Sequence, residues 1–395
     1  MFYHVFFLVF PFVAWIIAWF VGLRPLRLTF RWKWVAAFAL LLASQKFVIF
    51  WLLGGNAFNP ELPAWFIHAS GWAYSTFMLF VGLVCTAAIL KATIAFFASF
   101  HVRQMLQDSK GIRRREFVYG LTAAGLAGWG VWEGIRVPLI KRTEIEVEDL
   151  PAAFDGFCIV QLSDLHCSAA ARREHIQAIV DVANTIDADI VCITGDFVDG
   201  SVDARREDLE PIKGLKSKLG VFGCAGNHEY YSGYKVWKPV IESFGVKMLD
   251  NDFHVFEPNG SRLVLGGIPD EAALSPRYAG SSVKPNIRLV YRGAPEGCRI
   301  LLKHRPIHLA LHDEQGVRLQ LSGHTHGGAC RGMDLLVAKM GNENHLRGLY
   351  REGKLALHVS PGTGQWAGFP LRLGVPAEIS ELVLRVPKNH PRVNR

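Results

Sequence analysis

The chain has 395 residues, half of them hydrophobic, and its 43 Lys and Arg against 35 Asp and Glu give a formal charge of +8. An apolar fraction this high, with 38 Gly and 19 Pro in no repeat, excludes a disordered or collagen-like chain. A mean hydropathy of +0.19 is unusual beside 20% charged residues, which points to a chain divided between an apolar part and a charged part.

The first 140 residues carry twelve Lys and Arg against four acids and so hold the whole net charge. That leaves no basic excess for a nucleic-acid-binding face in the rest, and no nucleic-acid partner is expected. Four apolar runs fill this part: Phe2 to Leu23, Val35 to Leu53, Trp72 to Leu90, and a shorter Gly-rich run from Phe117 to Trp132 that Ile135 to Ile140 extends. A ~30 Å hydrocarbon layer needs roughly 20 helical residues, so the expectation is a four-helix transmembrane anchor over residues 1–140. Gly120, Ala124 and Gly128 form a small-xxx-small row, which either admits a second helix or reflects tolerance of Gly in a membrane helix. The loops Arg24 to Lys33 and His101 to Arg115 are basic, while Gly54 to Gly71 carries only Glu61. Because cytoplasmic loops retain Lys and Arg, the N-terminus is expected outside an inner or plasma membrane, with all that follows the fourth helix periplasmic or extracellular. Arg114-Arg115-Glu116-Phe117 reads either as an internal twin-arginine export signal or as a cytoplasmic basic anchor. Lys91 can snorkel from its span end, and neither it nor Lys46 supports a transporter reading.

From Glu144 the pattern changes. Phe157 to Leu162, Ile190 to Thr194, Val221 to Ala225, Ile300 to Lys303 and Val317 to Leu321 read as buried strands, being continuous apolar runs bounded by turn residues. Arg172 to Ile186, Arg205 to Leu215, Tyr234 to Phe244 and Ile307 to Glu314 read as helices between them, which argues for a doubly wound α/β core. A hairpin over Phe253 to Gly266, turning at Asn259-Gly260, together with terminal strands Leu355 to Ser360 and Glu381 to Val386, points to a second sheet.

Ligands of such sheets bind beyond the strands' carboxyl ends. Here the ends carry Asp164 and His166, Asp196 and Asp199, Asn227 and His228, His304, and His324 and His326. Asp-x-His and His-x-His spacing on a strand or its exit turn aims both side chains to one face. A set of His, carboxylate and Asn without Cys suits Mn, Fe or Zn. Seven ligands exceed the needs of one ion, so a pair of ions sharing a carboxylate is the simpler solution. Two such ions ~3.5–4 Å apart can activate a bridging water and clamp an in-line phosphoryl displacement.

With these motifs in this order, Glu144 to Val386 resembles the calcineurin-like metallophosphoesterase superfamily, in its membrane-anchored branch. The resemblance implies an αββα four-layer sandwich of two packed mixed β-sheets flanked by helices, over residues 141–395. It implies two divalent metal ions, one held by Asp164, His166, Asp196 and His326 and the other by Asp196, Asn227, His304 and His324, with Asp196 as the bridge. His228 would stabilise the phosphoryl charge or protonate the leaving group, and Asp199 would orient it. The implied activity is hydrolysis of a phosphodiester or pyrophosphate in a phosphorylated small molecule or lipid, beside the lipid bilayer. If the domain were cytoplasmic, a UDP-2,3-diacylglucosamine-type pyrophosphatase would be the alternative. A phosphate-ligand sensor on the same fold would show missing ligands, and none is missing.

Other residues keep two readings. Glu229 is either a surface or helix-starting carboxylate or a site residue. Cys167 and Cys330, where relatives usually carry aliphatic residues, form a disulfide or remain two buried thiols. Cys85, Cys158, Cys192, Cys224 and Cys298 read as small hydrophobes, and no Cys-x-x-Cys marks a structural zinc. Tyr230, Tyr231, Tyr234, Trp237, Trp366 and Phe369 read mostly as packing, and Arg305 and Arg372 as hypothetical phosphate contacts.

Overall fold

A computed structural model describes residues 2–24, 26, 28–97, 112–278, 283–339 and 342–388. Of the basic loop expected over His101 to Arg115, residues 101–111 lie outside these residues and 112–115 begin the helix Ile112–Ile135. The chain divides into two compact units, Met1–Glu133 with Ala367–Leu373, and Gly134–Trp366 with Gly374–Arg395.

The first unit is helical. Its helices are Phe2–Ile17, continued by a π-helical stretch Ala18–Leu23, then Phe30–Ser44, Lys46–Gly54, Ala64–Phe97, and Ile112–Ile135, whose last two residues fall in the second unit. Among the described residues Ala64–Phe97 alone is by itself long and apolar enough to cross a membrane. Phe30–Ser44 and Lys46–Gly54, bent by 62° at Gln45, pass only as a pair, and Val9–Leu23 is shorter. The Gly, Trp and Glu133 of Ile112–Ile135 dilute its hydropathy.

Ala14, Ala18, Phe77, Phe80, Val84 and Ala123 pack together inside this unit, while Phe30, Trp65, Phe96 and Phe97 point outward. At the small-residue row Trp72 Nε1 donates to the Ala124 carbonyl at 3.0 Å, but a Cβ on Gly128 would stand at an ordinary contact distance of 3.6 Å from that nitrogen, so the approach does not require the glycine. Gly120 opens on space. The segment Ala367–Leu373 is held by the helices. Lys46 Nζ donates to the Gly368 carbonyl at 2.9 Å, and the Arg372 N–H donates to the Gly130 carbonyl at 2.9 Å. A Cβ on Gly71 would come within 2.4 Å of Pro370, so glycine is what lets the segment approach that helix.

The second unit is built on strands β1 (Leu139–Glu146), β2 (Cys158–Leu162), β3 (Ile190–Thr194), β4 (Val221–Cys224), β5 (Val246–Met248), β6 (Asp252–Phe256), β7 (Leu263–Gly267), β8 (Cys298–Leu302), β9 (Val317–Ser322), β10 (Gly348–Glu352), β11 (Leu355–Val359) and β12 (Glu378–Arg385). They form two six-stranded sheets, ordered β1-β12-β2-β3-β4-β5 and β10-β11-β9-β8-β7-β6. Strands β2 to β5 run parallel, with Ile159 opposite Ile190 and Val160 opposite Val191. In the second sheet β7, β8, β9 and β11 are parallel, and an antiparallel partner closes each edge.

Alternate residues of these strands enter different cores, as the pleat requires. Ile159, Cys192, Cys224, Leu265, Ile300 and Leu319 meet between the sheets. Val160 and Val191 pack outward on Val180 and Trp237 of helices Arg173–Ala183 and Tyr234–Ser243. Leu301 and Leu357 pack on Val290 and Leu309 of helices Ile287–Val290 and Leu309–Glu314. Three apolar interfaces make four layers, the αββα sandwich, and each fully buried aliphatic side chain contributes roughly 1.5–3 kcal/mol.

Two expectations change. The C-terminal strand β12 lies in the first sheet, antiparallel to β2, not in the second. Leu139 and Ile140, read as the tail of a fourth span, begin β1 parallel to β12, because Pro138 cannot continue the helix that ends at Ile135. The Asn259-Gly260 turn lies in the connection between paired Phe256 and Leu263, longer than a two-residue hairpin turn, and both of its residues have positive φ (52° and 75°).

Candidate metal centre

Strands β2, β3 and β4 of one sheet and β8 and β9 of the other end at a common rim. The strands stop before the functional residues, so strand alternation does not aim them. Backbone turns do: Asp164, His166, Asp196, His324 and His326 all have φ between 45° and 70°. Asp and His tolerate this left-handed region better than most residues, yet each such position costs on the order of 1–3 kcal/mol. The turns are tied to each other, the Asp164 N–H donating to the Gly195 carbonyl and the His166 N–H to the Asp196 carbonyl, both at 3.0 Å. A Cβ on Gly195 (φ 87°) would stand 2.6 Å from His304 Nδ1, and one on Gly226 2.2 Å from Asp196 Oδ1. Only glycines let the three loops converge this closely.

The convergence brings all seven expected ligand residues to one rim. Asp164, His166 and His326 offer ligand atoms within 4.8 Å of one another, as do Asp196, His304 and His324. His326 Nε2 lies 3.6 Å from Asp164 Oδ1. Asp196 Oδ2 touches both groups, 3.2 Å from His304 Nε2 and 3.7 Å from His166 Nε2. The set fits divalent cations on three observations. His166 Nε2 approaches His326 Nε2 at 3.1 Å, His304 Nε2 approaches His324 Nδ1 at 3.2 Å, and Asn227 Oδ1 is buried with no hydrogen-bond partner. Facing imidazole nitrogens and an orphaned amide oxygen are what a shared cation would satisfy.

Around this set, Asp199 does more than orient His228. One carboxylate oxygen pairs with His228 Nδ1 and the other with His166 Nδ1 at 3.0 Å, which leaves the Nε2 of each ring toward the site. His304 is fixed in the same manner, Nδ1 donating to the Thr194 carbonyl at 2.7 Å. Burial would raise the Asp199 carboxyl, but the two imidazoles outweigh it and hold it well below the usual range. Asp196 is likewise held low against burial by His304 and His228. Burial opposes protonation of His228, yet Asp199 and Asp196 push it up to about 9. His228 also lies within ligand reach of His166 and Asp196.

Glu229 is neither a surface group nor a ligand. Fully buried, it accepts the N–H groups of Gly226 at 2.7 Å, Phe197 at 2.7 Å and Asp196 at 2.9 Å, clamping the β3 and β4 exit loops together. Its place as third residue of the helix Asn227–Ser232 is that of a capping-box carboxylate. Beneath the rim, Gln161 donates to Thr194 Oγ1 at 3.0 Å and to the Ser322 carbonyl at 2.9 Å, and its Oε1 pairs with His358 Nδ1 at 2.8 Å. This polar bridge crosses between the sheets.

Of the aromatic residues, Tyr230, Tyr234 and Trp237 are core packing. Tyr231 and Trp366 lie against the His228 ring, with centroids 5.2 and 5.9 Å away. Phe369 and Arg372 belong to the helical unit, and Arg305 is bound by Asp270 at 2.8 Å. Cys167 and Cys330 are buried and are not joined in a disulfide.

The calcineurin-like phosphoesterase family model matches residues 158–328. The chain is 33% identical over 285 residues to a "transmembrane protein with metallophosphoesterase domain" of Danio rerio, covering 70% of this chain and 64%, just under two thirds, of that relative. It is 29% identical over 365 residues to the protein of the same name in Bos taurus, covering 90% of this chain and 80% of that one. An uncharacterized metallophosphoesterase of Helicobacter pylori is 33% identical over 263 residues, covering 66% of this chain and 67% of its own. Likenesses to solved structures are too distant to assign anything. NAD nucleotidase of Haemophilus influenzae has 10% identity and a TM-score of 0.37, covering 53% of this chain and 46% of that one. A dimetal phosphatase of Danio rerio has 13% identity and a TM-score of 0.30, covering 54% and 90%. On the family model and its relatives, the chain belongs to the calcineurin-like metallophosphoesterase family.

Proposed function

We propose that this chain is a membrane-tethered phosphoesterase that holds two divalent cations and hydrolyses a phosphodiester or pyrophosphate. One observation carries the reading: five strand ends from two sheets deliver Asp164, His166, Asp196, Asn227, His304, His324 and His326 to one rim, with Asn227 Oδ1 buried and orphaned. Bound there, two cations would acidify the attacking water and draw charge off the phosphoryl oxygens. Asp164, His166 and His326 would hold one, Asn227, His304 and His324 the other, with Asp196 shared.

Every other part falls to the chain itself. Water adds its oxygen to phosphorus, and the bond to the leaving group breaks with its electron pair on the leaving oxygen. His228 donates a proton from Nε2 to that oxygen, and the proton lost by the water restores it. Asp199 fixes the donor by holding Nδ1, and its second oxygen keeps His166 in register. Replacing Asp196 or His228 with Ala is expected to lower turnover of an aryl phosphodiester at least about a hundredfold in protein supplied with Mn, Fe or Zn. Unchanged turnover in both variants would refute the enzyme.

The tether rests on Ala64–Phe97, on outward apolar side chains such as Trp65 and Phe97 of a kind soluble surfaces avoid in bulk, and on relatives named as transmembrane proteins. The charge asymmetry of the loops supports a catalytic unit outside the inner or plasma membrane, where envelope or lipid-linked phosphates would be the substrates. A reporter fused to the C-terminus tests this side, with activity expected for a periplasmic or extracellular reporter. A cytoplasmic result would overturn it and favour a nucleotide-activated lipid precursor.

A further inference from the structure

The ring of His228 is where two groups of side chains meet. His166, from the ligand set, lies 4.6 Å away centroid to centroid. Tyr231 and Trp366 are its other ring neighbours. Tyr231 continues to Tyr278 at 5.8 Å, and the Arg277 guanidinium lies over Tyr278 at 5.6 Å. Tyr230 and Tyr234 of the same stretch are buried, whereas Tyr231 is 53% exposed. An aromatic side chain turned outward beside the proton donor, while its neighbours turn inward, is open to a ligand.

We propose that Tyr231 and Trp366 form a leaving-group subsite that selects a planar, π-faced alcohol, either an aryl alcohol or a nucleoside. The inference rests on the phosphoesterase reading and names its substrate class. A proton donor must come within about 2.6–3.2 Å of the leaving oxygen. The first atoms beyond that oxygen therefore lie within about a ring's width of Tyr231 and Trp366. Aromatic pairs gain stabilisation beyond the area they bury when stacked offset or edge to face, and aromatic side chains lose little conformational freedom on binding. An aliphatic group of the same size collects only the area.

The test compares methyl 2-phenylethyl phosphate with methyl 2-cyclohexylethyl phosphate, whose leaving alcohols match in basicity and bulk and differ in the π face. In the metal-supplied full chain, kcat/KM for release of the phenylethyl alcohol should exceed that for the cyclohexylethyl alcohol by about tenfold. The ratio should fall toward one in Tyr231→Leu and in Trp366→Leu and persist in Tyr231→Phe, which keeps the ring. Tyr231 is half in solvent, so its replacement leaves the core intact. A nucleoside 5′-methyl phosphate cleaved faster than the phenylethyl ester would identify a nucleoside as the natural group, and slower cleavage a simpler aryl alcohol; both support the subsite. A wild-type ratio at or below one, or a ratio that survives in both Leu variants, would overturn the subsite alone. Failure of the wild type to cleave any diester or pyrophosphate would overturn the proposed function and the subsite with it.

Discussion

Among the described residues each unit of the chain buries one lysine, and the two are satisfied by different chemistry. Lys303, with a side chain 1% exposed, pairs with the carboxylate of Glu271, which Arg305 also approaches at 3.8 Å. Lys46, 2% exposed in the helical unit, has neutral partners. It meets the carbonyls of Gly368 at 2.9 Å and Ala367 at 3.4 Å, and the rings of Phe50, Phe47 and Tyr74 within 4.9–5.8 Å. The catalytic unit answers charge with charge and pays heavily if either member is lost. The helical unit uses backbone dipoles and π faces, which cost no second desolvated ion. The same contrast runs through the surfaces, since large apolar side chains fill three cores in one unit and face outward on the helices of the other.

Removing a partner from the charged arrangement should have the largest effect. Lys303→Met leaves Glu271 with only the longer contacts to Arg305 and His308, both at 3.8 Å, and breaking a buried pair costs about 3 kcal/mol or more. Thermal unfolding in detergent should show the catalytic unit losing that stability. A loss under about 1 kcal/mol would mean that charge pairing is not what holds this corner.

A smaller effect depends on pH. His312 is buried and pairs with Gln320 at 2.7 Å. Burial, reinforced by Lys303 and His308, lowers it to about 4. Since the folded value lies below the unfolded one of 6.5, the unfolded chain takes up the proton first as pH falls. The contribution is complete above pH 6.5 and is lost on the way down to about 4, at roughly 1.4 kcal/mol per unit, or about 2 kcal/mol by pH 5. His358, lowered by burial to about 3, declines over the same window. His312→Gln should remove part of the acid-side slope and His312→Gln with His358→Gln about twice as much, leaving the share of His324, which burial also lowers to about 3. An unchanged slope in the double variant would place acid sensitivity elsewhere.

What the sequence made legible, and what it concealed, follows from how each feature is encoded. Strands β2, β3, β4, β8 and β9 are mostly apolar because both faces are covered, and the polar residues that end them stand out against that background. The ligand set was therefore readable. The device that aims it was not, because positive φ at Asp164, His166, Asp196, His324 and His326 is only favoured, not dictated, by Asp and His. Gln161 hid inside a run read as wholly apolar, since its partners Thr194, Ser322 and His358 come from three other strands. Glu229 looked like any helix-starting acid, and its role appears only when Gly226, Asp196 and Phe197 are brought around it. Assignment of β12 to the first sheet depends on a long-range pairing with Cys158 to Gln161 that alternation alone cannot choose.

The smallest expected effect is the sharpest test of the contrast between the lysines. Lys46→Met keeps an apolar stem of similar length and removes the ammonium. Two carbonyls lose a donor, each loss worth on the order of 1 kcal/mol, but the cost of keeping an ion away from water disappears with it. These opposing changes should leave a net destabilisation of about 1 kcal/mol, well below that of Lys303→Met, because no charged partner is stranded. Thermal unfolding of both variants in the same detergent makes the comparison directly. If Lys46→Met were as damaging as Lys303→Met, the carbonyls and rings around Lys46 would be holding its charge as firmly as a carboxylate does, and the segment Ala367–Leu373 would depend on that ion for its place among the helices.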